Sequence, residues 1–408
     1  MHVIFLAPHF PANQREFARA LKAVGAYVSG IGDAPYGALD HELRGWLDHY
    51  EEVPSVGDID AVTDAVRRIQ IRGPWVDRFE ATIESHVLIA AQVRERTGIP
   101  GLRYEVTERC RDKFVMKQFL RSKGIPCAKN AAISTAGEAV AFAREAGYPL
   151  ILKPRDGAGA ASTYKVEDDA QLAAAISETG LDKARRYFTM EEFVHGHEGF
   201  IDTLTVNGEV VFEGICHYYP NVLEAMTTRW VSPQIVLTNR VDAPGYQGLR
   251  QFARRVVAEM GISTAPTHME WFYGQKGLYF SEIGARPPGC RLWDLYCAAN
   301  DMDLYVEWAR GVTTGRANPK PSRRFAAGLI SIRPDADGEI RGYTGVDAIN
   351  SRYGDSILKW HLPAPGTPTK PVGAGYLGHA WAWVRHPDYD ACRSILDDIG
   401  RTVHCWAG

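Results

Sequence analysis

The chain has no excess of charge of either sign and no long hydrophobic run. Its 46 lysine and arginine residues nearly balance 49 aspartate and glutamate residues, which gives a net charge of −3. That balance provides no global reason to expect nucleic acid or an anionic membrane as a partner. No apolar stretch approaches the roughly 20 residues that a bilayer span requires. We therefore expect small-molecule partners, with no nucleic acid and no membrane.

Cysteine is scarce and unpatterned, and repeats and low-complexity tracts are missing. The seven cysteines are odd in number, scattered, and free of Cys-x-x-Cys spacing. This argues against a disulfide framework or a zinc site. The first residues, MHVIFLAP, lack the basic leader and the long apolar segment of a secretory signal, and they predict a strand instead. We expect reduced thiols and a cytoplasmic location.

What is present suffices for several hydrophobic cores, since 45% of the 408 residues are hydrophobic. A strand at 2–7, an amphipathic helix at 14–24 and a strand at 26–31 predict the opening of a βαβ sheet. Helical patterns at 58–69 and 85–97 continue it. The turn sequence GIPG ends this first domain, which we assign to residues 1–105.

A second domain, residues 106–318, divides into two lobes of about 106–185 and 186–318. A helix is predicted over 107–123, and Thr135 with Glu138 forms a capping box that opens another. In the second lobe, Asn207-Gly208 between two alternating segments is a strong hairpin signal. Strands at 267–273 and 278–283 predict a second hairpin.

A link rich in proline, serine and lysine begins a last α+β unit, residues 319–408. Its pattern predicts strands at 326–332 and 378–384 and a helix at 389–399. The fold class is therefore mixed α/β and α+β, with several domains.

Lys153 ends an apolar strand just before a loop of small residues. The loop, DGAGAAS at 156–162, allows backbone N–H groups to approach phosphate oxygens, and a lysine is a compact charge suited to phosphate. The loop matches neither a Walker A sequence nor G-x-G-x-x-G, so a solvated lysine beside an ordinary loop is an open alternative.

Two glutamates, Glu270 and Glu282, lie twelve positions apart on the strands of the second hairpin, with apolar flanks. Embedded carboxylates are costly unless a cation compensates them. If they face each other across the ladder, they can hold Mg²⁺ together with triphosphate oxygens, and binding should relieve their repulsion. Arg286 follows and could stabilise charge on a transferring phosphoryl group.

The order of these segments resembles the ATP-grasp superfamily, and specifically its carboxylate–amine ligase branch, which includes bacterial L-amino acid ligases. The resemblance runs from about residue 107 to 315. The preceding sheet resembles a preATP-grasp domain, which would place a two-lobed ATP-grasp domain between it and the small C-terminal α+β domain. The resemblance implies ATP with Mg²⁺, or Mn²⁺, as cofactors.

Carried over by position, the resemblance implies a role for each motif residue. Lys113 and Lys153 would contact phosphate, Arg286 would be the transition-state arginine, and Glu270 and Glu282 would be the metal ligands. The nucleotide-binding residues it implies are Gly157, Ala158, Gly159, Ala160 and Ser162 in the loop, Glu191, Glu192 and Val194 in the adenine hinge, and Glu198 at the ribose. Gly284 stands where many members carry a metal-binding asparagine.

The substrate residues are less well specified. An arginine such as Arg291 can grip a carboxylate, and Glu84 can bind an amine, although a solvated face is an alternative for Glu84. The candidate wall residues are His217, Trp230, His268 and Arg291.

The reaction implied by the resemblance is phosphorylation of a small carboxylate to an acyl phosphate, which then couples to an amine with release of ADP and phosphate. Two alternatives stay open. One is an enzyme like biotin carboxylase that acts on bicarbonate with a separate biotin carrier, since the chain has no Met-Lys-Met acceptor. The other is a non-catalytic nucleotide-binding protein. A homodimer is also left open.

Overall fold

A computed structural model describes residues 1–157 and 162–408 of the chain. Within these residues the strands form a four-stranded parallel sheet, a four-stranded and an eight-stranded antiparallel sheet, and a two-stranded antiparallel ribbon. The predicted mixed α/β and multidomain fold is confirmed. No helix in the described part of the chain is both long and apolar enough to cross a membrane.

The N-terminal unit is a parallel sheet in the order β3-β2-β1-β4 with helices packed against it. Its elements are β1 (His2–Leu6), α1 (Arg15–Ala23), β2 (Tyr27–Gly32), α2 (His41–Trp46), β3 (His49–Glu52), α3 (Ile59–Arg72), β4 (Arg78–Glu80) and α4 (Val87–Thr97). Phe17 on α1 packs against Trp293 and Trp308 from a later part of the chain. This aromatic contact fixes the sheet against the rest of the molecule.

The next unit carries a four-stranded antiparallel sheet in the order β5-β8-β6-β7. Its elements are α5 (Tyr104–Arg109), α6 (Lys113–Ser122), β5 (Asn130–Ile133), α7 (Ala136–Ala146), β6 (Leu150–Pro154), β7 (Tyr164–Val166), α8 (Asp169–Thr179) and β8 (Phe188–Glu192). The capping box at Thr135 is confirmed. The prediction of one helix over 107–123 is wrong, because the Asp112 carboxylate accepts the N–H groups of Phe114 and Val115 and so begins a new helix.

An eight-stranded sheet in the order β13-β12-β9-β10-β11-β14-β17-β16 dominates the remainder. Its first elements are β9 (His197–Val206), β10 (Glu209–Tyr219), α9 (Val222–Thr227), β11 (Gln234–Leu237), α10 (Gln247–Met260), β12 (Ala265–Gly274), β13 (Gly277–Gly284), α11 (Leu292–Asn300) and α12 (Leu304–Thr314). Both hairpins are confirmed. Asn207 and Gly208 have positive φ angles of 51° and 82°, as a two-residue hairpin turn requires.

The C-terminal region continues this same sheet. Its elements are β14 (Ala326–Ile332), β15 (Ile340–Thr344), α13 (Val346–Tyr353), β16 (Ile357–His361), β17 (Ala380–His386), α14 (Tyr389–Thr402) and β18 (His404–Ala407). Strand β14 pairs antiparallel with β11 on one side and with β17 on the other. The domain boundaries drawn from the sequence stay predictions.

Candidate functional site

A cavity of about 1210 Å³ is lined by residues that follow β1 and β4 of the parallel sheet and by residues of the four-stranded and eight-stranded sheets. It exceeds the roughly 300–1,000 Å³ of an ordinary small-molecule site, so it has room for two ligands. Most residues singled out from the sequence line it. They are Glu84, Lys113, Lys153, Gly157, Glu191, Glu192, Val194, Glu198, His268, Glu270, Glu282, Arg286 and Arg291.

The remaining candidates are elsewhere. Trp230 is 80% exposed and does not line the cavity. His217 is buried within the eight-stranded sheet, where its ring nitrogens meet His197 and the hydroxyl of Tyr246. Ser162 is exposed and next to the lining residue Thr163. Ala158, Gly159 and Ala160 lie outside the described residues.

Glu270 and Glu282 are direct partners across the β12–β13 ladder. The Tyr218 hydroxyl donates to Glu270 Oε1 at 3.3 Å, and His268 Nε2 is 3.6 Å from the same oxygen. Lys113 Nζ is 3.3 Å from Glu282 Oε2. Burial alone would raise the pKa of Glu282, but Lys113 and Lys153 outweigh it and bring that pKa to about 2. Glu282 is therefore held ionised.

This arrangement corrects one expectation about the pair. The sequence suggested two carboxylates that repel each other until a metal ion arrives. The structure instead places lysine ammonium groups beside Glu282 and a histidine and a tyrosine beside Glu270. The pair is already partly compensated, so its negative charge does not depend on a metal to persist.

The two carboxylates fit a divalent ion that also takes oxygens from a ligand. Among residues 1–157 and 162–408 no group of three or more histidine, cysteine, aspartate or glutamate side chains is placed to hold a metal by itself. Mg²⁺ commonly binds through one or two carboxylates and completes its shell with phosphate oxygens and water. Glu270 and Glu282 supply that kind of donor set.

Lys153 shares a buried ion triad that sequence reasoning missed. Lys117 Nζ is 2.5 Å and Lys153 Nζ is 3.1 Å from Glu191 Oε2. Burial would raise the pKa of Glu191, but the two lysines outweigh the effect of burial and lower that pKa. Burial lowers the pKa of Lys117. A lysine on an amphipathic helix is ordinarily solvated, so only the position of Lys117 four residues after Lys113 could have signalled an inward face.

The end of β8 and the segment after it connect the two sheets, and Glu192, Phe193 and Val194 line the cavity. The N–H of Glu192 donates to Lys129 O at 3.0 Å and the N–H of Phe193 donates to Pro149 O at 3.1 Å. These bonds fix the segment and do not use the N–H of Val194. Glu198 accepts from the N–H of Val222 at 2.7 Å. Burial and the nearby Glu270 raise the pKa of Glu198 to about 8.

Arg286 and Glu84 meet across the interface between the parallel sheet and the eight-stranded sheet. Arg286 Nε donates to one oxygen of Glu84, and Arg111 Nη1 donates to the other at 3.1 Å. Glu84 is thus not on a solvated face. The arginines lower its pKa against the effect of burial. Arg291 also lines the cavity, and it pairs with Asp294 at 2.7 Å.

His268 is oriented by Asp202, a residue that sequence reasoning did not identify. Asp202 is buried in the middle of β9, and it accepts from His268 Nδ1 at 2.7 Å and from the Tyr296 hydroxyl. Burial would lower the pKa of His268, but Asp202 outweighs it and raises that pKa to about 9. An aspartate directly after the apolar pair Phe200 and Ile201 within a strand was the available signal.

Comparison with known proteins agrees with this geometry. Residues 146–292 match the ATP-grasp domain family, a region that includes Lys153, Glu270, Glu282 and Arg286. The chain contains an ATP-grasp domain.

Three known proteins resemble the chain over a longer stretch. An L-arginine-specific L-amino acid ligase of Bacillus subtilis is 27% identical over 60% of the chain. An alanine–anticapsin ligase of the same species is 25% identical over 46% of the chain. The chain spans 59% and 44% of the lengths of these relatives. The solved structure of an L-amino acid ligase from Bacillus licheniformis superposes with a TM-score of 0.77 at 17% sequence identity. The match covers 100% of this chain and 98% of that protein, which shows a shared fold.

Proposed function

We propose that the chain is an ADP-forming carbon–nitrogen ligase that uses ATP to join a small carboxylate, such as an amino acid, to an amine. The observation that carries this proposal is the pairing of Glu270 with Glu282 in the same cavity as Lys113, Lys153 and Arg286. The similarity to L-amino acid ligases supports it.

The residues present suit the parts of a phosphoryl transfer. Lys113 and Lys153 would bind phosphate oxygens, and Glu270 with Glu282 would hold Mg²⁺ or Mn²⁺, which neutralises charge on the phosphates. Arg286 would stabilise the charge on the transferring group. The backbone of Val194 would meet the adenine edge, and Glu198 would accept a hydrogen bond from the ribose. Glu191 and Glu192 would belong to the adenine hinge, and Gly157 and Ser162 to the loop over the phosphates.

The chemistry divides into two steps that balance. In the first, a carboxylate oxygen attacks the γ-phosphorus and the bond to the β–γ bridging oxygen breaks, so that ADP leaves and an acyl phosphate forms. In the second, an amine attacks the acyl carbon, phosphate leaves, and the nitrogen loses a proton. The protein's task is to position the reactants and to stabilise charge.

The proposal is tested by measuring phosphate and ADP release from the purified protein with ATP, Mg²⁺ and pairs of L-amino acids. Amines are tested as further acceptors, and bicarbonate is tested as a further substrate. We expect phosphate release that requires both a carboxylate and an amine, with ADP as the nucleotide product. Glu282→Gln should abolish turnover or nearly so, because it removes a proposed metal ligand. Glu209→Gln is the matched control, since Glu209 is exposed at the start of β10.

Three results would contradict the proposal. AMP and pyrophosphate as products would indicate a different activation chemistry. Phosphate release that depends on bicarbonate and a biotin carrier, and on no amine, would favour the carboxylase alternative. Nucleotide binding without any turnover across the panel would favour a binding protein.

A further inference from the structure

The C-terminal region supplies part of the cavity wall. Gly375, Tyr376 and Leu377 line the cavity together with Met226 of α9. The 3-10 turn Val372–Ala374 contacts α9 and so places the segment 375–377 against it. Residues 372–377 lie outside the region that matches the ATP-grasp family. This part of the cavity wall therefore has no role yet among the proposed nucleotide-binding residues.

Tyr376 stands out on this wall because its polar atom is left without a partner. The side chain is only 5% exposed, and its hydroxyl has no hydrogen-bond partner within residues 1–157 and 162–408. Buried hydroxyl groups are ordinarily paired, so such a group calls for an explanation. The ring stacks on Tyr218 with centroids 6.0 Å apart and planes 30° apart. A phenylalanine would stack equally well, so packing alone does not account for the hydroxyl.

The surroundings of Tyr376 are apolar apart from a few charges. It belongs to a core cluster against which Met226, Cys290 and Leu377 pack. Burial and the nearby carboxylates raise its pKa well above the usual value, so the hydroxyl keeps its proton and can donate. Nearby, the buried guanidinium of Arg333 donates to Thr228 O at 2.5 Å and makes no ion pair among the described residues. Its positive charge favours an anionic oxygen in this part of the cavity.

We propose that Tyr376 determines substrate specificity by donating a hydrogen bond from its hydroxyl to an oxygen of the small carboxylate substrate. Met226, Cys290 and Leu377 would then contact an apolar side chain of the same molecule. The ligand class is an apolar amino acid or a related small acid. This inference rests on the proposed ligase function.

The test is Tyr376→Phe, which keeps the ring and removes only the hydroxyl. Tyr353→Phe is the control, because the Tyr353 hydroxyl donates to Asp398, away from the cavity. Binding of each proteinogenic L-amino acid to the parent and both variants is measured by calorimetry with ADP and Mg²⁺ present. We expect the parent to bind at least one apolar amino acid, and Tyr376→Phe to weaken that binding about 10-fold. ADP affinity and the melting temperature of the ligand-free variant should not fall.

Each outcome decides the matter. Unchanged amino-acid affinity in Tyr376→Phe overturns the inference, as does a parent that binds none of the amino acids. An equal loss of ADP affinity would show a general structural role instead. Amino-acid binding that depends on Tyr376 without phosphate release supports the subsite and contradicts the ligase proposal. Phosphate release that is unaffected in Tyr376→Phe supports the ligase proposal and contradicts the subsite.

Discussion

Replacing Lys117 by methionine should destabilise the protein strongly, although this lysine was not identified from the sequence. Its side chain is 2% exposed and its ammonium group is 2.5 Å from Glu191 Oε2, while Glu191 itself is 4% exposed. Methionine fills a similar volume without the charge. The change therefore tests the ion contact and not the packing of the stem.

The size of the effect follows from what is left behind. Removing one partner of a buried ion pair costs about 3–5 kcal/mol, because the other charge stays buried without compensation. Here Lys153 is still 3.1 Å from the same oxygen of Glu191. We therefore expect a loss near the lower end, about 3 kcal/mol of unfolding free energy. ATP affinity should also fall, since Lys153 would be drawn more fully to Glu191.

Urea unfolding of the ligand-free protein measures this loss. Lys123→Met is the matched control, because Lys123 caps the C-terminus of the same helix, is half exposed and lies 3.6 Å from Glu259. Its change should be within about 0.5 kcal/mol. Adding Glu191→Gln to Lys117→Met should recover about 1 kcal/mol or more, because it removes the uncompensated charge. The reasoning is refuted if the two lysine variants unfold alike, or if the costs of Lys117→Met and Glu191→Gln simply add.

Three further predictions concern packing, pH and catalysis. Gly199→Ala should lower stability by about 1–3 kcal/mol in urea unfolding, because its Cβ would be 2.5 Å from the Cys216 carbonyl oxygen, whereas Gly248→Ala meets nothing within 4 Å and should not destabilise. Burial lowers the pKa of His217 to about 3 in the folded protein. Below about pH 6.5 the unfolded chain therefore binds a proton that the folded chain does not, and the free energy of unfolding falls as the pH drops from there toward 3. His217→Phe should flatten this dependence of stability on pH in acid unfolding. Arg286→Lys should reduce kcat about 100-fold with little change in the KM for ATP, since a lysine cannot reproduce the guanidinium's directed donors; an unchanged kcat would contradict the role of Arg286.

The sequence predicted the elements whose signals are local. The hairpin at Asn207-Gly208 needs two positive φ angles, and the capping box at Thr135 needs only four residues, so both could be read from short segments. The second hairpin was also predicted from its strands, but a regular ladder from its turn would pair Glu270 with Ser281. A β-bulge between Glu270 and Trp271 brings Glu270 opposite Glu282 instead.

Features that depend on distant parts of the chain were not predicted. The exposure of Trp230 and the burial of Lys117 are set by which surfaces come to cover them, and neither has a local signature. The helix predicted over 107–123 is too long because the apolar period of the sequence continues through the cap at Asp112. The strand β11 is short, and its pairing with β14 joins residues about ninety positions apart.

The continuity of the eight-stranded sheet bears on how the chain tolerates shortening. A chain that ended at residue 318 would leave the hydrogen-bonding edge of β11 bare, because β14 would be gone. It would also uncover Val236 of β11, whose hydrophobic cluster is otherwise formed by buried residues of the C-terminal region. A bare strand edge beside fresh apolar surface is a template for aggregation. A fragment cut at that point should therefore precipitate, even though it keeps every residue that matches the ATP-grasp family.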